Sequence, residues 1–251
     1  MPHPALIINT PGDEHLFDRV ANQLSGNSSF SALRVEGVLG RTLPDLVCRL
    51  CTNDPNSVNN KGAVAVFFAH MNAWEAVLAS GSEWALVVED DVTFDNFELF
   101  DADKLPTDFD IVFVNDRTRP NRQDRPQEIE FAPIAESIPV IEARRMSVGG
   151  DGYILSNAAA RKLLEAVKID KFFSHVDLRL LAYCLSIEDA ELYCAAGPVS
   201  RELRDISRLL RRYRYLSGFS SYPSLVTHKL DRSRRAREDE LGRGSTMRDA
   251  R

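Results

Sequence analysis

Cysteine is scarce in this chain, with four in 251 residues, too few to staple a fold of this size. Cys48 and Cys51 form a C-x-x-C, but zinc would need a second matched pair, and Cys184 and Cys194 stand too far apart to supply one. Free, mostly buried thiols are the expectation. No apolar run approaches the roughly 20 residues of a membrane span, and Met1-Pro2-His3-Pro4 lacks the basic-then-apolar layout of a secretory leader. The expected compartment is therefore the cytoplasm. Positive charge is not in excess: Lys+Arg 31 against Asp+Glu 37 gives −6, which argues against a general nucleic-acid binder while leaving room for one local basic patch. With Gly 13, Pro 12, 44% hydrophobic and 27% charged residues, collagen-like and wholly disordered chains are excluded too. There is no internal repeat.

What remains is a chain able to bury a substantial core, and its length suits one domain over 1–228. Residues 229–251 are dominated by mixed charge without apolar periodicity and read as a disordered tail. Ala5 to Thr10 is an apolar run closed by Pro11-Gly12-Asp13, the pattern of an opening strand. Leu16, Val20 and Leu24 recur at four, so a helix follows and stops at Gly26. Ser31 to Val38 suggests a second strand and Thr42 to Cys51 a short helix. From Gly62 to Leu78 apolar positions recur at three and four, predicting a longer helix that ends at Gly81.

Trp84 to Val88 has no polar break, as in a strand buried on both faces. Asp110 to Asn115 has the same character, and Gly152 to Ser156 is a further strand before a helix over Ala158 to Val167. The alternation predicts an α/β fold with a mostly parallel central sheet flanked by helices. Arg117 to Pro139, polar and long, reads as a functional or mobile loop.

The most informative residues are Glu89, Asp90 and Asp91, which stand where the uninterrupted strand stops. Ligands of α/β sheets bind outside the carboxyl ends of strands. If extended backbone persisted, Glu89 and Asp91 would share one face, and two like charges about 6 Å apart repel by roughly 3 kcal/mol at an effective dielectric of about 20. A positive partner is required. Mg²⁺ or Mn²⁺ fits, because each takes oxygen ligands and commonly combines one or two carboxylates with substrate phosphates. The residues by themselves thus suggest a metal–diphosphate site, the plain alternative being three solvated or helix-capping acids.

Gly62, His70, Trp74 and Glu89-Asp90-Asp91, followed by Gly152-Tyr153-Ile154-Leu155-Ser156 and Val176-Asp177, keep the order and spacing of a known pattern. In these the middle of the chain resembles glycosyltransferase family 25, the lipooligosaccharide and collagen galactosyltransferase group. It departs from that pattern at Ala63, Ala65, Val66 and Ala69, where the family carries Glu, Gly, Cys and Ser. The resemblance implies a GT-A-like (Rossmann-like) single domain and a metal-dependent inverting transfer of a sugar. Galactose from UDP-galactose is the implied donor, a glycan or glycolipid of lipopolysaccharide, lipooligosaccharide or capsule the acceptor, and Mn²⁺ or Mg²⁺ the cofactor.

By the same analogy Asp91 and Glu89 serve the metal, Glu89 from its outer shell or on the donor ribose, and Asp90, His70 and Asn9 join Glu89 in donor binding. Asp177 matches the family's downstream Asp and is the candidate base, with His175 and Asp151 as rivals. Each has a bland reading: Asp177 as a helix cap, Asp151 in a Gly149-Gly150-Asp151-Gly152 turn, His70 as a core histidine. Arg201 to Arg214 reads as a basic amphipathic helix, suited to an ordinary surface or to peripheral contact with anionic lipid at the inner membrane face. Two other readings stay open: a catalytically silent nucleotide-sugar-binding or scaffold protein of this fold, and a phosphoryl or nucleotidyl transferase using the same acidic strand end.

Overall fold

The structure is a computed structural model that describes residues 2–52, 61–118, 127–144, 148–169, 171, 175–192 and 215–228. Strand β1 (His3–Asn9) leads into α1 (Glu14–Leu24), β2 (Phe30–Glu36), α2 (Asp45–Cys51) and the 20-residue α3 (Lys61–Ser80). Next come β3 (Trp84–Glu89), β4 (Val92–Phe94), β5 (Ile111–Phe113), β6 (Glu130–Pro133) and α4 (Ile138–Arg144). The rest comprises β7 (Gly152–Ser156), α5 (Asn157–Ile169), α6 (Val176–Cys184), α7 (Ile187–Leu192), β8 (Gly218–Tyr222) and β9 (Val226–His228).

Among the described residues, seven strands form one mixed sheet in the order β2-β1-β3-β7-β5-β8-β6, and β4 pairs with β9 separately. Pairing directions fix the geometry that matters: β1, β2, β3, β5 and β8 run one way, while β6 and β7 run against them. The carboxyl ends of β1, β3 and β5 therefore meet the amino end of β7 along one edge. Asn9, Glu89, Asn115 and Asp151 are brought together by this topology although up to 142 positions separate them.

Both faces of the sheet are covered. On β1, Leu6 and Ile8 face a core shared with α3, α5 and α6, while Ala5 and Ile7 face a second core with Val20 and Leu24 of α1. On β3, Ala85 and Val87 join the first, Trp84, Leu86 and Val88 the second. This two-sided burial explains why the strand sequence lacks polar alternation. Contrary to the expectation that no apolar run approaches the length of a membrane span, helix α3 is long and apolar enough by length and composition to cross one, yet Val64, Phe67, Ala73, Trp74 and Val77 are buried in the core.

Two expectations need correction. The stretch 117–139 is not simply a loop: its described part holds β6, a 3-10 turn over Ile134–Ser137 and the start of α4. Ile129, Ile134 and Ile138 anchor it in the core, with Phe131 and Ala132 between them, while Pro133 and Pro139 interrupt the pattern that would have marked a regular element. The chain also does not stay extended through the acidic triplet, since β3 ends at Glu89 and Asp90-Asp91 form a turn into β4. Cys48 is free and buried, Cys51 is free and half-buried, Cys184 is buried, and burial pushes the Cys48 thiol up. Cys194, the proposed basic helix at 201–214 and the tail at 229–251 lie outside the described residues.

Candidate functional site

At the strand-end edge, the turn sends the three acids in different directions. Asp90 is buried and turned back toward the β1–α1 connection, where its Oδ2 accepts from Asn9 Nδ2 at 2.8 Å and from the Thr10 amide at 3.2 Å. Its own carbonyl accepts from Arg19 Nη2 at 2.8 Å. These bonds tie β3 to the first loop of the chain. Asn9 is spent in the same way, its Nδ2 also donating to the Asp13 carbonyl at 2.8 Å, while its buried Oδ1 makes no hydrogen bond among the described residues. Replacing Asp90 by Ala is expected to lower unfolding free energy by about 3 kcal/mol, the scale of charge-assisted bonds lost from a buried site. Urea titration measures this, and an unchanged midpoint would contradict the tethering role.

Asp91 faces the other way and accepts from His228 Nε2 at 2.9 Å, a contact made possible because Val92 of β4 registers opposite His228 of β9. That hydrogen bond, against the opposing effect of burial, raises the His228 pKa above 6.5. By sequence His228 is only the last position of the 1–228 domain. Nothing in its local sequence marks it, since the pairing that delivers it spans the chain from 91 to 228.

Glu89, its side chain 31% exposed, places Oε1 3.4 Å from His70 Nε2. Its backbone amide donates to the carbonyl of Asp151 at 3.2 Å, which pins the amino end of β7 against β3. Gly149 has φ +71, and a Cβ there would collide with Asp151 Oδ1 and meet Arg117 Cδ at 2.9 Å. A Cβ on Gly150 would lie 3.1 Å from His70 Nε2. The two glycines thus let this backbone lie directly on the side chains of the site. Asn115 holds the same loop from the β5 side, donating to the Gly149 and Gly152 carbonyls at 3.3 and 3.4 Å while its Oδ1 accepts from the Arg117 amide at 3.0 Å.

Asp151 is sealed, and neither carboxylate oxygen makes a hydrogen bond among the described residues. Its nearest countercharge is Arg117 Nη2 at 3.5 Å. Burial raises its pKa to about 6, Arg117 and His228 drawing it down and Glu89 pushing it further up. Burial also works against the charge on Arg117, but Asp151, Asp177, Glu89 and Asp116 more than offset it and the guanidinium is held firmly protonated. Arg117, read from the sequence only as the start of a loop, is the central cation of the cluster.

Asp177 lies in the first turn of α6, its Oδ1 accepting from the Leu178 amide at 2.9 Å, while His175 occupies the N-cap position without a side-chain cap bond. Asp177 is near enough to Arg117 to act on its charge; His175 makes no side-chain hydrogen bond or ion pair among the described residues. Sequence-picked Glu89, Asp91, Asp151, His70 and Asp177 therefore gather around Arg117 and His228, whereas Asp90 and Asn9 brace the neighbouring loop.

The carboxylates outnumber the cations, an imbalance that suits a dication. Among the described residues no group of three His, Cys, Asp or Glu side chains forms a ready-made metal shell. Asp91 and His228, side by side, offer one oxygen and one nitrogen ligand. The donor set fits a hard cation that takes its remaining ligands from phosphate and water.

Residues 56–178, which carry His70, the acidic triplet, Arg117 and Asp151, match the family described as glycosyltransferase family 25 (LPS biosynthesis protein). Over that segment, 123 of its 251 residues, the chain is similar to this family. Among its relatives, the probable inactive glycosyltransferase 25 family member 3 of Bos taurus is 33% identical over 148 residues, 52% of this chain and 23% of that protein. The Rattus norvegicus protein of the same name is 33% identical over 150 residues, and the inactive glycosyltransferase 25 family member 3 of Mus musculus 34% over 150. The chain spans about a quarter of the length of these relatives.

Proposed function

We infer that this chain is a metal-dependent inverting glycosyltransferase, taking a sugar, galactose by family analogy, from its UDP conjugate to a glycan or glycolipid acceptor. The observation that carries the reading is the Asp91–His228 pair at the carboxyl edge of the sheet, set in a surplus of carboxylates beside buried Arg117. Asp91 and His228 would hold Mn²⁺ or Mg²⁺, with Glu89 at its outer shell or on the donor. The chemistry such a cation supplies is neutralisation of the charge that grows on a departing nucleoside diphosphate.

Asp177 is the base in this proposal. It lies in the first turn of a helix, close enough to Arg117 to be held by it, and its task is to accept the proton of the attacking acceptor hydroxyl. Asp151 suits that task less, because both its oxygens are sealed from solvent and a hydroxyl could not reach them without movement of the glycine loop. The cytoplasmic location, and membrane contact through 201–214, remain part of the proposal on the sequence grounds given above.

A second reading has its own support. The relatives are named inactive, and Ala63, Ala65, Val66 and Ala69 replace the family's polar or small residues on α3. Ala65 and Ala69 are buried, so those two substitutions alter the helix's core face. On this reading the fold binds a nucleotide sugar without transferring it.

Thermal shift and hydrolysis with a panel of nucleotide sugars, with and without Mn²⁺, test both. Ligand at a hundred times its Kd adds about 2.7 kcal/mol, a Tm rise of roughly 5–10 °C for a domain of this size. A Mn²⁺-dependent rise with UDP-galactose together with release of galactose is the expected result. Rise without release marks a silent binder, turnover of a nucleotide lacking any sugar marks a phosphoryl or nucleotidyl transferase, and no response to any of them overturns the proposal.

A further inference from the structure

Behind Glu89 lies a hydrogen-bonded chain that the transfer reaction itself does not use. His70 and Trp74 stand one helical turn apart on α3, and both reach Tyr153 in the middle of β7. Trp74 Nε1 lies 2.9 Å from the Tyr153 hydroxyl, which lies 2.9 Å from His70 Nδ1. His70 Nε2 then meets Glu89 Oε1 at 3.4 Å. Trp74, His70 and Tyr153 are buried, whereas Glu89 reaches the surface.

Donor counting gives this chain a direction. The indole N–H can only donate, so the tyrosine oxygen accepts from Trp74. Tyr153 has one proton to give, and the acceptor within reach is His70 Nδ1. Burial raises the Tyr153 pKa, so the phenol keeps that proton for donation. With Nδ1 as acceptor, the imidazole proton sits on Nε2 and points at the carboxylate. The opposite tautomer would aim two N–H groups at one oxygen, leave a buried hydroxyl proton unspent, and set a nitrogen lone pair against Glu89. Each of those faults carries the cost of an unmet buried polar group.

The geometry points to Tyr153 as a positioning residue, which locks His70 in the Nε2–H form so that Glu89 is held by Oε1 and keeps Oε2 for a hydrogen-bond-donating ligand. Glu89 Oε2 makes no hydrogen bond among the described residues, and Gly150 keeps the space over His70 Nε2 closed to any larger side chain. Only the ligand clause rests on the glycosyltransferase reading; the tautomer does not.

Long-range ¹H–¹⁵N correlation spectra of the full chain without ligand read the His70 ring directly. A neutral ring protonated on Nε2 is expected; a ring protonated on Nδ1 overturns the proposal whatever any variant does. Tyr153→Phe should move the ring to a mixture of tautomers and weaken binding of UDP with Mn²⁺ by about 10–100-fold, the usual cost of losing a group that orients a ligand-holding residue. His70→Gln places an amide that needs no tautomer control. In that background Tyr153→Phe should cost no further affinity, whereas an equal loss in both backgrounds, or an unmoved tautomer in the single variant, refutes the positioning role. If Tyr153→Phe does not fold, the unsubstituted spectrum still decides. If the unsubstituted chain shows Nε2–H but does not bind UDP with Mn²⁺, the proposed function fails and the Tyr153–His70 assignment stands.

Discussion

Asp91→Asn is expected to weaken Mn²⁺-dependent binding of UDP by more than about a hundredfold and to remove transfer, while the fold persists. The lower bound is the upper end of what loss of an orienting partner costs, and a direct ligand should exceed it. Asn keeps the volume and one oxygen, so packing changes little and His228 can still hydrogen-bond. What vanishes is a full negative charge, worth about 4 kcal/mol for each unit of positive charge 4 Å away at an effective dielectric of about 20. The folding cost should be about 1 kcal/mol or less, since both partners are partly exposed. Calorimetric titration of UDP in Mn²⁺ and urea unfolding measure the two quantities. Binding at the unsubstituted level, or activity undiminished in excess EDTA, would remove the metal assignment.

The second large effect is one of pH. Asp151 is buried with its pKa raised to about 6 from 3.8, so the folded protein binds a proton that the unfolded chain has already released. For an acid displaced upward, the penalty is absent below the unfolded value and complete above the folded one. Stability should therefore fall as pH rises from about 4 to about 6, by at most about 3 kcal/mol from this group. Arg117 and His228 oppose that shift and Glu89 reinforces it. His228 acts in the same direction: its raised value contributes stability below 6.5 that is lost as pH climbs through it. Urea unfolding of the unsubstituted protein and of Asp151→Asn across pH 4–8 isolates the term. The difference between them should shift by about 3 kcal/mol, and a constant difference would show that Asp151 is ordinary.

Together these groups offset part of the negative charge gathered at this edge of the sheet. Asp151 and His228 bind protons more readily than usual, and Arg117 stands among the carboxylates. A dication bringing a diphosphate with it would take over that task, so cation binding should release protons.

Much of this could be read from residue order. An unbroken apolar run ending in three acids told that β3 is buried on two faces and that it delivers carboxylates to the edge of the sheet. The glycine before Asp151 and the helical spacing around His70 were also visible. What misled was the assumption of extended backbone through Glu89-Asp90-Asp91. The turn at Asp90-Asp91 gives Asp90 to the fold and Asp91 to His228, a division that the identity of the residues does not contain. Local sequence likewise failed at 127–139, the described part of the stretch read as a loop, where Ile129, Ile134 and Ile138 hold a short strand and a turn against the core.

The sequence by itself determined the α/β class, the two-sided burial of the central strand and the acidic character of its end, because hydrophobic periodicity and strand termination are local properties. Only the tertiary structure decided which charges face those acids. Arg117 arrives from the end of β5 and His228 from β9, while Tyr153 reaches His70 from a strand that runs against its neighbours. The partners lie from about 30 to 140 positions away along the chain, and their meeting is set by strand order and direction, which no local pattern of residues encodes.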